Sequence, residues 1–435
     1  MPSAYKKAME LHRRKRDDRA SGCALAFLFL FAVLVPAQRA VAQARDLSYF
    51  VEQAAANSPG LHDLQNQVLS ARIDSLLLRA SLRPQVAFVS TNSYAPVIGG
   101  VGYDEAITNI ANVSALVQAN RNFVSARNVQ AQLQTIALQR RALIDTILLS
   151  RQDLVRTITD QYITAYADQV AYDFSQEVYL LLQREEAALR KLTEKGVYKQ
   201  VDYLNFYITM QQQELTALQA QIQFGADYLT LNYLAGIVDT SVGRVAAPVL
   251  PDSLPDFQQS VFFTRFVTDS LRLANERSIL RYQYKPRIGA YTDAGYQSSL
   301  QVTPWRHFGF SAGVSLVIPI YDGHQRSLRE RQLDIREQAR SYNRDFYARQ
   351  YAMQTAQLRR QLQAIDLLTA RLQKQIGFSR TLIEANGKLL QVGDITMKDY
   401  VAAITNYLNA QNLLNQNVVG RLKVLSQLNY WNIKP

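Results

Sequence analysis

The sequence is poor in the residues that most often carry catalysis or bind metals. Its 435 residues include four histidines and one cysteine, Cys23, and a single thiol cannot form an intramolecular disulfide. The histidines, which are His12, His62, His307 and His324, have no cysteine or carboxylate at metal-ligand spacing. No phosphate-binding glycine loop, nucleophile elbow or HExxH motif occurs. We therefore expect no metal, no cofactor and no enzymatic activity.

Long apolar runs are scarce too, and the only one lies near the start, at residues 24–36. It follows a segment rich in Lys and Arg and precedes the small residues Ala40, Val41 and Ala42. This order is typical of a secretory signal, so we predict a signal peptide over residues 1–42. An uncleaved membrane anchor is the alternative, and the shortness of the apolar run disfavours it.

The excess of positive charge is not concentrated in one place. The formal net charge is +12, and it falls to +7 without residues 1–42, which hold eight basic and three acidic residues. The other Lys and Arg residues are spread among acids along predicted helices. We interpret them as solvated surfaces and expect no nucleic-acid partner.

Glycine and proline are absent from residues 121–195, which predicts one very long helix there. At about 1.5 Å per residue this helix is roughly 100 Å long. Gly196 ends it and the helical pattern resumes to Leu234, so we predict a helical hairpin. The core-facing positions alternate in spacing between four and three residues, as in a helix that packs along a partner, and they are Val129, Leu133, Ile136, Arg140, Leu143 and Ile147.

Residues 309–321 alternate between two kinds of side chain with a period of two, which is the pattern of a β-strand. Aromatic residues flank the segment, and its length suits a tilted strand that crosses a bilayer; a soluble sandwich strand is the alternative. A strand in lipid cannot leave its edges open, so we predict a closed transmembrane barrel. The side chains expected to face lipid are Phe310, Ala312, Val314, Leu316, Ile318 and Ile320.

The rest of the chain contains further helix and strand patterns, interrupted by proline and glycine. The predicted elements are a helix over 47–79 with a break near 58–60, strands over 85–94 and about 107–120, a helix over 257–284, a strand over 287–296 and a long helix over 325–390.

The two halves of the chain repeat each other. Gly196 and Asp202 correspond to Gly393 and Asp399, both at an offset of 197 residues. Such regularity indicates an internal two-fold duplication. We predict a first repeat over 43–247, a linker over 248–256 and a second repeat over 257–435, each repeat with a helix, two strands and a long helical hairpin.

The mature chain resembles the TolC-type outer-membrane efflux proteins, also called outer membrane factors. The resemblance rests on VIPIYDG at 317–323, VGDITMKDY at 392–400 and LSQLN at 425–429. It implies an α+β, mostly α fold in which three protomers form one trimeric 12-stranded transmembrane β-barrel, with four strands from each protomer. A long α-helical coiled-coil barrel continues it from the cell outer membrane into the periplasm.

The resemblance also implies a function and partners. The protein is expected to be a passive exit duct of a tripartite efflux or type I secretion system, working with a periplasmic adaptor and an inner-membrane pump. The alternative from the residues alone is a secreted periplasmic coiled-coil structural protein without a pore. In the family the hairpin turns dock the adaptor, which carries over to Gly196, Lys199, Gly393 and Thr396.

Two acids near these turns correspond to the family's closed aperture. Asp399 matches an acidic constriction, and Asp202 matches the hydrogen bonds that restrain it; for each, an ordinary acid at a helix start is the alternative. Thr396 and Asp399 are also predicted to cap the returning helix. The family's arginine and tyrosine partners are replaced by Ile395 and Leu390, and its second acid by Ala402, so closure here must use other bonds.

Overall fold

The computed structural model describes residues 44–252, 257–299 and 303–431. The predicted signal peptide and part of the predicted linker lie outside these ranges. From Arg45 onward the chain forms one compact unit, mostly helical with one four-stranded sheet, as predicted. Its elements are α1 (Leu47–Asn57), α2 (Pro59–Ser81), β1 (Gln85–Tyr94), α3 (Glu105–Thr108), β2 (Ala111–Phe123), α4 (Ala126–Glu194), α5 (Gln200–Leu234), α6 (Val261–Gln283), β3 (Arg287–Ser298), β4 (Phe308–Val317), α7 (Gln325–Val392) and α8 (Met397–Tyr430).

Both predicted long helices form, and each turns back into a hairpin. α4 has 69 residues and α7 has 68. Gly196 and Gly393 follow them with left-handed backbones, at φ values of 78° and 83°, which glycine adopts without steric cost. The N–H of Val197 then donates to the Leu192 carbonyl at 3.0 Å, an arrangement typical of a glycine-terminated helix.

The break predicted near residues 58–60 separates α1 from α2. Pro59 is the first residue of α2, where its missing N–H costs no hydrogen bond. Ser58 caps the helix because its hydroxyl accepts from the N–H of Leu61 at 3.4 Å. α1 therefore leaves the line of α2 and packs against α4 and α5.

The four strands form one antiparallel sheet in the order β1-β2-β3-β4. Gln85 pairs with Asn120, Asn120 with Tyr291, and Tyr291 with Gly313. This register places the start of β1, the end of β2, the start of β3 and the end of β4 at the same end of the sheet. Because these ends join α2, α4, α6 and α7, the helices follow the sheet in the same order, each in contact with the next.

The predicted limits of the second and fourth strands were wrong. Residues 107–110 are not part of β2: Asp104 caps α3, and the backbone then turns at Asn109 and Ile110, both at positive φ. β2 instead continues to Phe123, since its backbone pairs with β3 although the apolar alternation stops. β4 ends at Val317 and not at residue 321, because Pro319 cannot donate a backbone hydrogen bond.

Below the sheet the helices form a second row, in which α5 packs on α4, α4 on α8, and α8 on α7. Among the described residues, three buried clusters hold this row together. One surrounds Phe50 and joins α1, α4 and α5, a second joins the ends of the two hairpins, and a third joins α7 and α8 around Leu425. Across the described ranges, no helix is both long enough and apolar enough to cross a membrane.

Phe50 fixes α1 onto the first hairpin. Its side chain is fully buried, with its ring centroid 5.7 Å from that of Tyr162 and 6.2 Å from that of Tyr228. We expect Phe50→Ala to lower the free energy of unfolding by about 3–5 kcal/mol, because it leaves a cavity in this cluster. Val238→Ala, on a fully exposed side chain, should change it by less than about 0.5 kcal/mol. Thermal unfolding measures both; equal effects would contradict the assigned core.

Candidate functional site: a two-faced sheet and paired hairpin tips

The register of the sheet gives it one mainly apolar face. One row of paired residues across the four strands consists of Phe88, Val117, Ala294 and Phe310. Phe88 and Phe310 are 69% and 86% exposed, so large apolar groups cover the outside of this face. The other apolar residues of the same face are Val86, Tyr94, Ala111, Val113, Ala115, Ala119, Phe123, Ile288, Ala290, Tyr296, Phe308, Ala312, Val314 and Leu316. Its polar exceptions are Ser90, Asn92, Arg121, Thr292 and Ser298.

The opposite face of the same sheet is mainly polar. The Ser311 hydroxyl donates to Asp293 at 2.8 Å across β3 and β4. The ring of Tyr291 covers Gly313, where a Cβ would collide with it. Further polar side chains on this face are Gln85, Thr91, Ser93, Asn112, Ser114, Gln118, Asn120, Asn122, Arg287, Gln297 and Ser315. The sheet therefore separates an apolar environment from a polar one.

Four of the six side chains predicted to face lipid share the apolar face, namely Phe310, Ala312, Val314 and Leu316. Ile318 and Ile320 lie beyond the end of β4, in the segment that leads to α7. All six belong to the exposed surface. Their contact with lipid stays a prediction.

The lateral edges of the chain carry unpartnered groups. Among the described residues, β1 and β4 each pair with one neighbouring strand, so each leaves one row of backbone groups open. α2 and α5 are the outermost helices on the β1 side, and α7 is outermost on the β4 side. All three helices have exposed apolar stripes that face no other helix of the described ranges.

The stripes on α2 and α5 follow the spacing of a coiled-coil seam, and the stripe on α7 does so in two stretches, 328–342 and 378–392. On α5 the separations are mostly three and four residues, with Gln211 and Gly225 filling the two gaps. Sequence reasoning missed this seam, although the spacing could have revealed it. The exposed stripe residues are Leu69, Ile73 and Leu76 on α2; Val201, Leu204, Ile208, Leu215, Leu218, Ile222 and Leu229 on α5; and Leu328, Ile335, Tyr342, Met353, Phe378, Leu382, Leu389 and Val392 on α7.

At the second tip, Thr396 and Asp399 form the predicted helix start. The Thr396 hydroxyl accepts from the N–H of Asp399 at 3.2 Å and donates to the Asp399 carboxylate at 2.7 Å. At the first tip, Lys199 makes no side-chain cap, and Asp202 is an exposed acid in the first turn of α5. Both acids are therefore exposed at the tips, as the sequence predicted for helix-start residues.

The two tips of one chain are tied together by Tyr198. Its hydroxyl donates to the Leu390 carbonyl at 2.6 Å and lies 3.1 Å from the Ile395 carbonyl. Burial and the nearby carboxylate of Asp394 raise the pKa of Tyr198, which keeps this donor protonated. The side chains of Leu390 and Ile395 have no polar group, but their backbones supply the acceptors. This bond joins the two hairpins at their ends.

Apolar packing extends the tie along both hairpins. Leu189 and Phe206 of the first hairpin share a buried cluster with Leu390, Met397 and Tyr400 of the second. Each of these five residues exposes at most 3% of its surface. The two tips therefore form one packed unit within the chain.

A pair of acids lies between α4 and α5, further from the tips. Asp227 accepts hydrogen bonds from Gln161 at 3.0 Å and from Gln223 at 2.5 Å. The nearby Asp168 has a buried carboxylate oxygen that accepts no bond from the described residues. Burial and the neighbouring Asp227 raise the pKa of Asp168 to about 7, against the opposing effect of Lys423 on α8. Sequence reasoning missed this pair because its members are far apart in the chain.

No constellation with metal-binding geometry accompanies these groups. Within the described part of the chain, no three His, Cys, Asp or Glu side chains are grouped so that they could hold a metal ion. The functional features are surfaces: a two-faced sheet, open lateral edges and a packed pair of tips.

Solved structures with the same architecture are outer-membrane proteins. CusC, described in its formation of a transmembrane channel, matches with a TM-score of 0.73 at 14% identity, over 89% of this chain and 92% of CusC. VceC of Vibrio cholerae matches with 0.72 at 13% identity, over 89% and 96%. The open state of the MtrE channel of Neisseria gonorrhoeae matches with 0.71 at 13% identity, over 88% of each chain.

This chain has the fold of outer-membrane channels. The resemblance predicted from the sequence is thus confirmed for the fold, over nearly all of the described residues. No family model matches the chain, and no curated protein matches it in sequence.

The hydrogen bonds of Tyr198 can be tested by removing its hydroxyl group. We expect Tyr198→Phe to cost about 1–2 kcal/mol and to speed amide exchange in residues 390–397, because the two carbonyls lose their donor. Tyr233→Phe, on an exposed tyrosine at the far end of α5, is the control and should leave exchange at the tips unchanged. Unaltered exchange in Tyr198→Phe would show that apolar packing alone joins the tips.

The acid pair predicts a dependence of stability on pH. The folded pKa of Asp168 lies above its ordinary value near 3.9, so the protein is stabilised at low pH and loses this contribution as pH rises to about 7. The loss should be about 1–2 kcal/mol after discounting for partial solvent exposure. We expect Asp168→Asn to remove this part of the dependence in thermal unfolding between pH 5 and 8. Glu177→Gln, on an exposed α4 acid, should retain it.

Proposed function

We propose that three copies of this chain form a channel across a bacterial outer membrane and that the chain is a TolC-type outer membrane factor. The channel is a passive exit duct from periplasm to exterior, in a tripartite efflux or type I secretion system. The observation that carries the proposal is a sheet with an exposed apolar face, a polar face and two open edges. A bilayer and an aqueous lumen match these two faces.

The open edges of the sheet require further copies of the chain. Backbone N–H and C=O groups left unpaired in lipid cost several kcal/mol each, so β1 and β4 must pair. Four strands are too few to close on themselves around a lumen. Pairing β4 of one copy with β1 of the next closes the sheet, and three copies give the 12 strands of the resembled family.

The exposed stripes on the helices support the same closure. Pairing β4 with a neighbour's β1 brings α7 beside that neighbour's α2 and, lower down, beside its α5. Each of these helices has an apolar stripe at coiled-coil spacing on its outer side. One contact between copies would therefore bury the sheet edges and the stripes together, and the helices would continue the barrel as a tunnel in the periplasm.

The tips would form the periplasmic end of this tunnel. We propose that the turns at Gly196, Lys199, Gly393 and Thr396 dock the periplasmic adaptor, which links the channel to an inner-membrane pump. Asp399 would form an acidic constriction in the trimer, with Asp202 affecting closure. Both carboxylates are exposed, as this role requires.

The second candidate is a secreted coiled-coil structural protein without a pore. The long hairpins suit it equally well. The sheet does not, because a soluble protein rarely leaves so many large apolar side chains exposed on one contiguous face.

Arginine substitutions on neighbouring residues of β4 test the channel directly. Val314 lies mid-strand on the apolar face, whereas Ser315 lies on the polar face. We expect Val314→Arg to destabilise the trimer by roughly 2–4 kcal/mol, because it places a charge in lipid near the midplane. Ser315→Arg should be tolerated in the lumen. The measurement is the yield of trimer extracted from outer membranes with detergent.

Two outcomes would contradict the proposal. Equal trimer yields from Val314→Arg and Ser315→Arg would contradict the assignment of the apolar face to lipid and of the polar face to a lumen. Release of the wild type by salt or urea, as a detergent-free monomer, would favour the structural protein instead.

The constriction is tested by cation block. Three Asp399 carboxylates around one axis should attract multivalent cations. In single-channel recordings, divalent or trivalent cations on the periplasmic side should block the wild type, and Asp399→Asn should relieve the block with little change in open conductance. Asp202→Asn is the matched control and should affect closure more than cation affinity. Unchanged block in Asp399→Asn would leave Asp399 as a helix-start residue only.

A further inference from the structure

The end of the sheet that joins the helices is strongly basic. The ten-residue windows 75–84, 121–130, 278–287 and 318–327, one at each junction, contain eight Lys or Arg and one acid, Asp322. The two connections at the other end, residues 95–110 and 299–307, contain one Arg and two acids. The sheet therefore has a net charge of +7 at one end and −1 at the other. We call the eight basic residues the collar: Arg79, Arg83, Arg121, Arg127, Arg281, Lys285, Arg287 and Arg326.

The collar is not neutralised by the chain itself. All eight side chains are exposed. Among the described residues only one of them forms an ion pair, between Arg326 and Glu330 at 3.3 Å. Exposed cations without partners self-repel when gathered together, so their concentration at one end calls for an anionic counterpart.

The position of the collar identifies the counterpart. The antiparallel register brings all four junctions to one end of the apolar face. Arg121 lies on that face itself, with its guanidinium 5.2 Å from the Phe123 ring centroid. Lys285 lies 4.9 Å from the ring of Tyr282. Basic and aromatic side chains at the limit of an apolar band are placed at the depth of lipid headgroups.

We propose that the collar binds the phosphates of anionic phospholipids in the membrane leaflet at the helix end of the sheet. The proposal rests on the proposed function, since it requires the sheet to close in a bilayer with its helices in the periplasm. Each Lys or Arg near an anionic surface strengthens association on the order of fivefold at low salt. Three copies would give 24 basic side chains. The three copies of Arg287 lie on the polar face of the sheet, and the other 21 can collect a shell of such lipids around the barrel.

The experiment compares lipid shells. Trimers are reconstituted in vesicles of phosphatidylcholine with phosphatidylglycerol as the minor component, then extracted in a neutral detergent, and the retained lipids are counted. The collar variant combines Arg83→Gln, Arg127→Gln, Arg281→Gln and Lys285→Gln. The control variant removes the same charge from exposed, unpaired residues further along the helices, and combines Arg72→Gln, Arg151→Gln, Arg265→Gln and Arg349→Gln.

We expect the wild type and the control variant to retain phosphatidylglycerol enriched at least fivefold over the vesicle, and the collar variant to retain it at the vesicle ratio. The enrichment should collapse at about 1 M salt, where the Debye length is about 3 Å. Thermal stabilisation in pure phosphatidylcholine by inorganic phosphate, equal to that by phosphatidylglycerol, would identify a free-anion site and overturn the proposal.

The remaining outcomes distinguish failure of lipid binding by the collar from failure of the proposed channel function. Trimers that insert without enrichment, or a collar variant that matches the control, overturn the collar alone. A loss of anion selectivity in the collar variant with an unchanged lipid shell also overturns it, by placing these side chains in the lumen. Failure of any trimer to insert would remove the proposed function and the collar together.

Discussion

The pairing of backbone groups at the two free edges of the sheet is the constraint on which the rest of this structure depends. An edge strand in water can hydrogen-bond to solvent, but an edge in lipid cannot. β1 and β4 lie at opposite edges of the sheet, and within the described chain neither has a strand on its outer side. The proposed closure between copies would satisfy both edges at once, and it would set which helices meet. The apolar stripes on α2, α5 and α7 lie on the sides that such closure would bring together.

Most of the fold could be predicted from local signals because its elements are long and strongly patterned. Gly196 and Gly393 end the helices through a backbone conformation that favours glycine, and Ser58 with Pro59 marks the break between α1 and α2. The limits of β2 could not be predicted in this way. Its last residues are polar, and pairing with β3 through the backbone leaves no trace in the pattern of side chains.

The tips were predicted only in part, for a related reason. The Thr396 cap is visible in the sequence because both of its groups are near neighbours. The Tyr198 bond is not, because its acceptors are carbonyls that every residue has. Comparing side chains with those of the resembled family identified two lost partners at Leu390 and Ile395, and it could not show that the carbonyls of these two residues accept hydrogen bonds from Tyr198. The acid pair of Asp168 and Asp227 escaped notice similarly, because the packing of α4 on α5 creates it.

Different groups stabilise the two tips. The second tip stabilises itself, since Thr396 caps α8 and Gly393 closes α7. The first tip has no side-chain cap at Lys199, yet it supplies Tyr198, whose ring and hydroxyl anchor it to the second. The first tip is therefore anchored through its contacts with the second tip. A movement that opened a channel at this end would then carry both tips of one chain as a unit, and the seams between chains, where only exposed stripes meet, would be the places that part.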